Sequence, residues 1–211
     1  MTADQSIIDA FHISYYREPE TTWANTFWFG VRVYKCPLDL WVYQEIVHET
    51  KPDVVIETGT LFGGSALFFA CMFDLLGNGR VVTIDLKPRP ERPHHNRITY
   101  ITGSSTSNEV IRCVQDLVGS ANKVMVVLDS DHTAPHVLRE IRMYSPMVTK
   151  DAYLIVEDTS VNGNPVLPDF GPGPKEAVEE FLKENTDFAQ DKTREKFGLT
   201  FCPGGYLRRI R

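Results

Sequence analysis

The chain has 211 residues, 42% hydrophobic and 24% charged, with a formal net charge of -6, which suits one well-buried globular domain plus an extension. An acidic chain with no Lys/Arg run is a poor match for a phosphate backbone, so nucleic acid is not an expected partner. Cys36, Cys71, Cys113 and Cys202 form no C-x-x-C pair, which argues against a disulfide framework or structural zinc and for reduced thiols in the cytoplasm. No apolar stretch is long enough to span a bilayer, and Met1 to Ile13 shows no export pattern.

Residues 1–50 form an aromatic-rich extension, from Phe11 through Trp23, Phe27, Trp28 and Phe29 to Trp41 and Tyr43. It is expected to act as a lid or a subunit interface, leaving room for a homo-oligomer. Pro37 and Asp39 open a helix running to about Glu49, where Pro and Asp suit the first turn. Residues 51–211 then read as one cofactor-binding domain with a strand, turn, helix rhythm. Val54-Val55-Ile56 is a β-branched run ending in Glu57, followed by a Gly-rich turn. Ser65 to Leu76 is apolar almost all round, as in a helix packed on a sheet. Val81 to Ile84, Ile98 to Ile101, Val124 to Leu128 and Tyr153 to Val156 read as further strands, with helices over Asn108 to Val118 and Val137 to Tyr144. This alternation predicts an α/β fold: a Rossmann-like, doubly wound, mostly parallel sheet. Thr159 to Pro174 is a Pro/Gly-rich loop, and a helix follows over about Lys175 to Asn185. Leu199 to Phe201 and Tyr206 to Ile210 flank Pro203-Gly204-Gly205 and predict a C-terminal antiparallel hairpin.

Strand after strand ends in an acid: Glu57, Asp85, Asp129 and the pair Glu157-Asp158. In open α/β sheets the ligand crevice lies at the carboxyl ends of the strands, so these acids are expected around one crevice. The first turn, Glu57-Thr58-Gly59-Thr60-Leu61-Phe62-Gly63-Gly64-Ser65, lacks the Lys of a Walker A loop. It also has Leu61 where a dinucleotide fingerprint needs Gly. A loop for S-adenosylmethionine remains, because that ligand has no pyrophosphate and its ammonium suits an acid such as Glu57. A tight strand–helix turn without a ligand remains an alternative. Asp85 is placed to accept hydrogen bonds from ribose hydroxyls, which NAD and S-adenosylmethionine share. Ser104 either reaches the adenine or caps the next helix. Asp129, Glu157 and Asp158 sit on adjacent strand ends and are expected to hold a hard divalent ion such as Mg²⁺. His132 has an ordinary pKa near neutrality and is a natural general base. His136 reads as a surface histidine.

The residues from Cys36-Pro37-Leu38-Asp39-Leu40-Trp41 through Glu57-Thr58-Gly59, Gly63-Gly64-Ser65, Asp129-Ser130-Asp131-His132 and Glu157-Asp158 to Pro203-Gly204-Gly205-Tyr206-Leu207 resemble the cephalosporin hydroxylase family. That family is similar to class I methyltransferases. It includes the cephamycin 7-methoxylation protein and rhamnosyl O-methyltransferases. The resemblance implies S-adenosylmethionine as methyl donor, with Glu57, Gly59, Gly63, Ser65, Asp85, Ser104 and Asp129 around it. It also implies Mg²⁺ on Asp129, Glu157 and Asp158. The expected reaction is methyl transfer to a hydroxyl of a small-molecule acceptor, a natural product or a sugar, with Asp129 or His132 taking the proton. Two rivals stand beside it: an NAD-dependent oxidoreductase, and a non-catalytic partner of a biosynthetic enzyme.

Overall fold

Period-two alternation along the strands decides the layering. The computed structural model describes residues 4–211. Met1 to Ala3, the start of the expected extension, lie outside the described residues. The chain begins with α1 (Gln5–Arg17) and a short hairpin of β1 (Phe27–Trp28) and β2 (Val31–Arg32). Next come α2 (Pro37–Thr50), β3 (Val54–Thr58), α3 (Gly64–Leu76), β4 (Arg80–Asp85), β5 (Ile98–Thr102), α4 (Asn108–Val118), β6 (Val124–Leu128), α5 (Ala134–Tyr144) and β7 (Tyr153–Val156). The chain ends with α6 (Pro174–Glu184), β8 (Phe188–Gln190) and β9 (Tyr206–Arg209).

The main sheet has seven strands in the order β5-β4-β3-β6-β7-β9-β8. Strands β3 to β7 run parallel, and β9 pairs antiparallel with both β7 and β8. Val54 and Ile56, with Val82, Val126 and Leu154, face α4, α5 and α6. Val55, Val81, Met125 and Ile155 face α2 and α3, where Tyr43, Ile46, Phe69 and Phe73 are buried. Each such side chain contributes about 1.5–3 kcal/mol on burial, so the two faces together fix the strand register. Order reverses between β3 and β6, and this switch point is where an open α/β sheet leaves a crevice.

The structure bears out the Rossmann-like sheet and its antiparallel C-terminal strands, but it changes one partner. Strand β9 pairs with Phe188–Gln190, not with Leu199–Phe201. Leu199 and Phe201 instead pack with Cys36, Tyr15, Tyr16 and Trp23 in a third apolar cluster. The Phe201 N–H donates to the buried carboxylate of Asp39 at 2.8 Å, so this segment is pinned to α2 and is not free to pair as a strand. The predicted helices all form, and α5 starts earlier than its apolar spacing suggests because Pro135 falls in its first turn. Among the described residues, no helix is long and apolar enough to cross a membrane.

Candidate functional site

At the carboxyl ends of β3, β4, β6 and β7 lies a cavity of about 780 Å³. The turn after β3 forms one wall. Gly59 has φ +87, and a Cβ there would lie 1.7 Å from the backbone oxygen of Asp129, so only glycine lets the two strand ends approach. Gly63, at φ +82, is the N-cap of α3 and stands outside the cavity lining. Ser65 lines the cavity and donates to Glu57 Oε1 at 2.5 Å, while Thr83 donates to Oε2 at 2.7 Å. Glu57 is therefore wholly buried behind the turn, with both oxygens engaged. Burial pushes its pKa up, against the pull of Lys35, Ser65 and Thr83. Between its carboxylate and the cavity stand Ser65 on one oxygen and, through Thr83, Thr60 on the other.

Asp85 ends β4 on the cavity wall. Its Oδ2 accepts from the Leu61 N–H at 2.8 Å and from Arg92 Nη2 at 2.7 Å. Arg92 Nε also donates to the Leu61 carbonyl at 3.0 Å, so this arginine clamps the turn to the acid. Among the described residues, Asp85 Oδ1 accepts only from the Lys87 N–H at 3.2 Å, which leaves it acceptor capacity for hydroxyls. Ser104 lines the same end, its Oγ 3.2 Å from Thr106 Oγ1. The cap of α4 is Ser107, whose side chain accepts from the Val110 N–H.

The other pole is acidic. One ligand-type atom each from Asp129, His132 and Asp158 lies within 4.8 Å of the others, and His132 Nε2 is 3.3 Å from Asp158 Oδ2. Asp158 has φ +53; this left-handed turn follows Glu157 directly, and the two adjacent acids serve different surroundings. Glu157 is only 4% exposed and is not one of that trio, though Lys35 bridges it to Asp129. Its carboxylate accepts from Lys35, Tyr43 and Cys202. Burial pushes Asp129 up to about 7, with Lys35 opposing and Glu157 and Asp158 adding to the rise. Burial also raises Asp158, against the pull of His132. Burial would raise Glu157, but the Lys35 ammonium and the Tyr43 and Cys202 hydrogen bonds together hold the carboxylate below its ordinary range. Burial alone would lower His132, but Asp158, Asp129 and Glu157 together raise it.

Sequence reading missed Lys35, Arg92 and the interior position of His136. His136 Nε2 lies 3.2 Å from Ser130 Oγ and 3.3 Å from Ser105 Oγ, on the cavity wall and not on an open surface. Asp131 sits exposed at the rim of the cavity and accepts from the Thr133 N–H at 2.8 Å, ahead of α5. A lone lysine among Val33, Tyr34, Cys36 and Pro37 was the available signal for Lys35, since an isolated ammonium in apolar sequence must find buried carboxylates. The aromatics Tyr16, Trp23 and Tyr34 form the remaining wall, with Trp23 and Tyr34 meeting edge-to-face at 5.5 Å.

The family model described as "Rhamnosyl O-methyltransferase/CmcI" matches residues 20–210. The rhamnosyl O-methyltransferase of Mycobacterium leprae is 39% identical, over 97% of this chain and 91% of that protein. Its counterpart in Mycobacterium tuberculosis strain H37Rv is 38% identical, over 97% and 85%. Among solved structures, apo CmcI-N160 superposes with a TM-score of 0.70 at 20% identity, covering 89% of this chain and 77% of that one. CmcI-D160 with Mg-SAM gives a TM-score of 0.68 at 18% identity, covering 89% and 78%. Structural likeness at such identity speaks to the fold, while the family model and the mycobacterial relatives speak to descent. Matched over nearly all its length, the chain belongs to the rhamnosyl O-methyltransferase/CmcI family.

Proposed function

We propose that this protein transfers the methyl group of S-adenosylmethionine to a hydroxyl of a small-molecule acceptor, with a divalent ion such as Mg²⁺ beside the acceptor. One observation carries the reading: a single cavity joins the Gly59–Ser65 turn and Asp85 to the Asp129, His132 and Asp158 cluster. The first pole suits a ribose and an amino acid group, and the second suits a hydroxyl that must lose a proton. The CmcI structure solved with Mg-SAM supports the same pairing of ligands.

Asp85 Oδ1 would accept from ribose hydroxyls, with Arg92 keeping the carboxylate oriented. Gly59 allows the backbone to approach the donor, and Ser104 borders the base. Ser65, backed by Glu57, faces the amino acid portion. Asp129 and Asp158 offer hard oxygen donors at a spacing that fits a divalent ion. When bound, that ion would supply Lewis-acid charge that lowers the pKa of the acceptor hydroxyl. His132, held by Asp158, takes the hydroxyl proton. The acceptor oxygen bonds to the methyl carbon as the carbon–sulfur bond breaks, and the electron pair leaves with sulfur. Much of the rate would come from holding oxygen, carbon and sulfur in line. The aromatic wall of Tyr16, Trp23 and Tyr34 and the loop 162–174 would close over the acceptor.

Calorimetric titration with S-adenosylmethionine, with and without Mg²⁺, tests the donor. Micromolar binding is expected, and no binding under either condition would sink the reading. Asp129→Asn is expected to lose activity by about 100-fold or more, as for removal of a catalytic electrostatic group, in an assay following S-adenosylhomocysteine release from a hydroxylated acceptor.

A further inference from the structure

The side chain of Lys35 enters the acidic pole from the segment just before α2. It is 3% exposed, and its Nζ lies 2.7 Å from Asp129 Oδ2 and 2.5 Å from Glu157 Oε1. The backbone that carries it is anchored on both sides. The Val33 N–H donates to the Thr26 carbonyl at 2.9 Å, and the Arg32 carbonyl passes so close to Gly64 that a Cβ there would sit 2.3 Å away. Immediately after it, Cys36 and Pro37 begin α2. The ammonium is thus delivered to the carboxylates by a built path.

An ammonium is a compact monovalent charge on a flexible stem. Here it balances two carboxylates that adjacent strand ends present side by side, which is the task a divalent ion would otherwise perform. Glu157 is turned towards it, and Tyr43 and Cys202 Sγ hold the same carboxylate from behind. Asp158 and His132 face the cavity, while the ion pairs of Lys35 go to Asp129 and Glu157. A divalent ion reaching Asp129 would share that carboxylate with a positive charge, in a site where water screens little. We propose that Lys35 is an internal counter-cation that competes with the divalent ion for Asp129 and Glu157. Its position sets how tightly the ion binds and whether Glu157 joins the ligands. The inference rests on the metal reading above.

Binding of Mn²⁺, without methyl donor or acceptor, is followed by electron paramagnetic resonance of the free ion for the wild type, Lys35→Met and Lys35→Arg. Lys35→Met is expected to bind about tenfold more tightly or better, and Lys35→Arg to stay within about threefold of the wild type, because the competing charge is lost only in the first. Lys35→Met leaves Glu157 short of a partner and can fail to fold, so the wild type supplies a second reading. In ¹H–¹⁵N correlation spectra of the lysine ammonium groups, the Lys35 signal is identified by its loss in Lys35→Arg. It is expected to shift and broaden as Mg²⁺ saturates the protein. A folded Lys35→Met with wild-type Mn²⁺ affinity, or a Lys35 signal unmoved at saturating Mg²⁺, overturns the competition and leaves the metal site standing. No Mn²⁺ binding by any of the three proteins overturns the metal reading and the inference with it.

Discussion

Gly59 shows how a single backbone position builds the crevice. With φ at +87 and the Asp129 carbonyl where a Cβ would project, any side chain must push β3 and β6 apart at the switch point. Gly59→Ala is expected to cost about 2–4 kcal/mol, combining left-handed strain with overpacking, read as a lower urea midpoint at unchanged slope. Asp85 carries a different burden, because its Oδ2 is spent on Leu61 and Arg92 while Oδ1 remains for a ligand. Asp85→Ala is therefore expected to weaken S-adenosylmethionine binding by about tenfold or more, the scale of a lost pair of hydrogen bonds to a charged group, while leaving Mn²⁺ binding unchanged. Calorimetry with both ligands checks this, and loss of both would mean the turn itself had collapsed. Asp85 was legible as a strand-end acid, whereas Arg92 lay hidden in a Pro/Arg-rich loop with no periodicity to place it.

At the scale of elements, α1 is the piece that sequence reading passed over. Its exposed Ile7 and Phe11 blur the apolar stripe, and its buried contact is made by a histidine. His12 is 3% exposed and stacks on Phe201 with ring centroids 5.4 Å apart and 3° between planes. Burial pushes its pKa down to about 4, with Asp9 opposing. An unfolded imidazole binds a proton near its ordinary value of 6.5, so between 6.5 and about 4 the unfolded chain holds more protons than the folded one. Stability from this contact is therefore complete above pH 6.5 and declines as pH falls towards 4. His12→Phe, which keeps the stack and removes the titration, is expected to flatten this part of the curve of stability against pH. An unchanged slope in chemical unfolding from pH 7 to 4.5 would refute the assignment. The β1–β2 hairpin escaped notice for a related reason: Phe29 adopts φ +46 beside Gly30, and phenylalanine is no turn signal.

For the whole molecule, one buried carboxylate ties the start of α2 to the C-terminal segment. Asp39 Oδ1 accepts from Thr200 Oγ1 at 2.5 Å and from Tyr206 OH at 2.8 Å, and Oδ2 accepts from the Phe201 N–H at 2.8 Å. All three partners donate to the carboxylate, so an amide NH₂ in place of Oδ1 would require the Thr200 and Tyr206 hydroxyls to turn from donor to acceptor, and Thr200 Oγ1 already accepts from the Cys202 N–H. Asp39→Asn is expected to destabilise the protein by about 2 kcal/mol or more, the cost of a buried polar group left without its partner, read as a lower melting temperature. The same tether explains why Leu199–Phe201 packs under α1 and α2 and leaves β9 to pair with β8. The Pro203-Gly204-Gly205 turn was visible in sequence, but its upstream arm was not, because Asp39 lies 162 positions from Phe201.

What the sequence determined by itself is the order of strands and helices from α2 to α6, the glycine turn after β3 and the acids at the strand ends. These follow from side-chain period and backbone sterics within a few residues. The tertiary structure decided which carboxylate does what. Glu157 and Asp158 are neighbours in the chain, yet the left-handed turn at Asp158 gives one a buried lysine and the other the cavity. Lys35 reaches Asp129 across 94 positions, a distance over which no local pattern carries information. Charge pairing in a buried site is settled by whatever the folded chain brings within a few ångströms, and that depends on packing of both sheet faces at once.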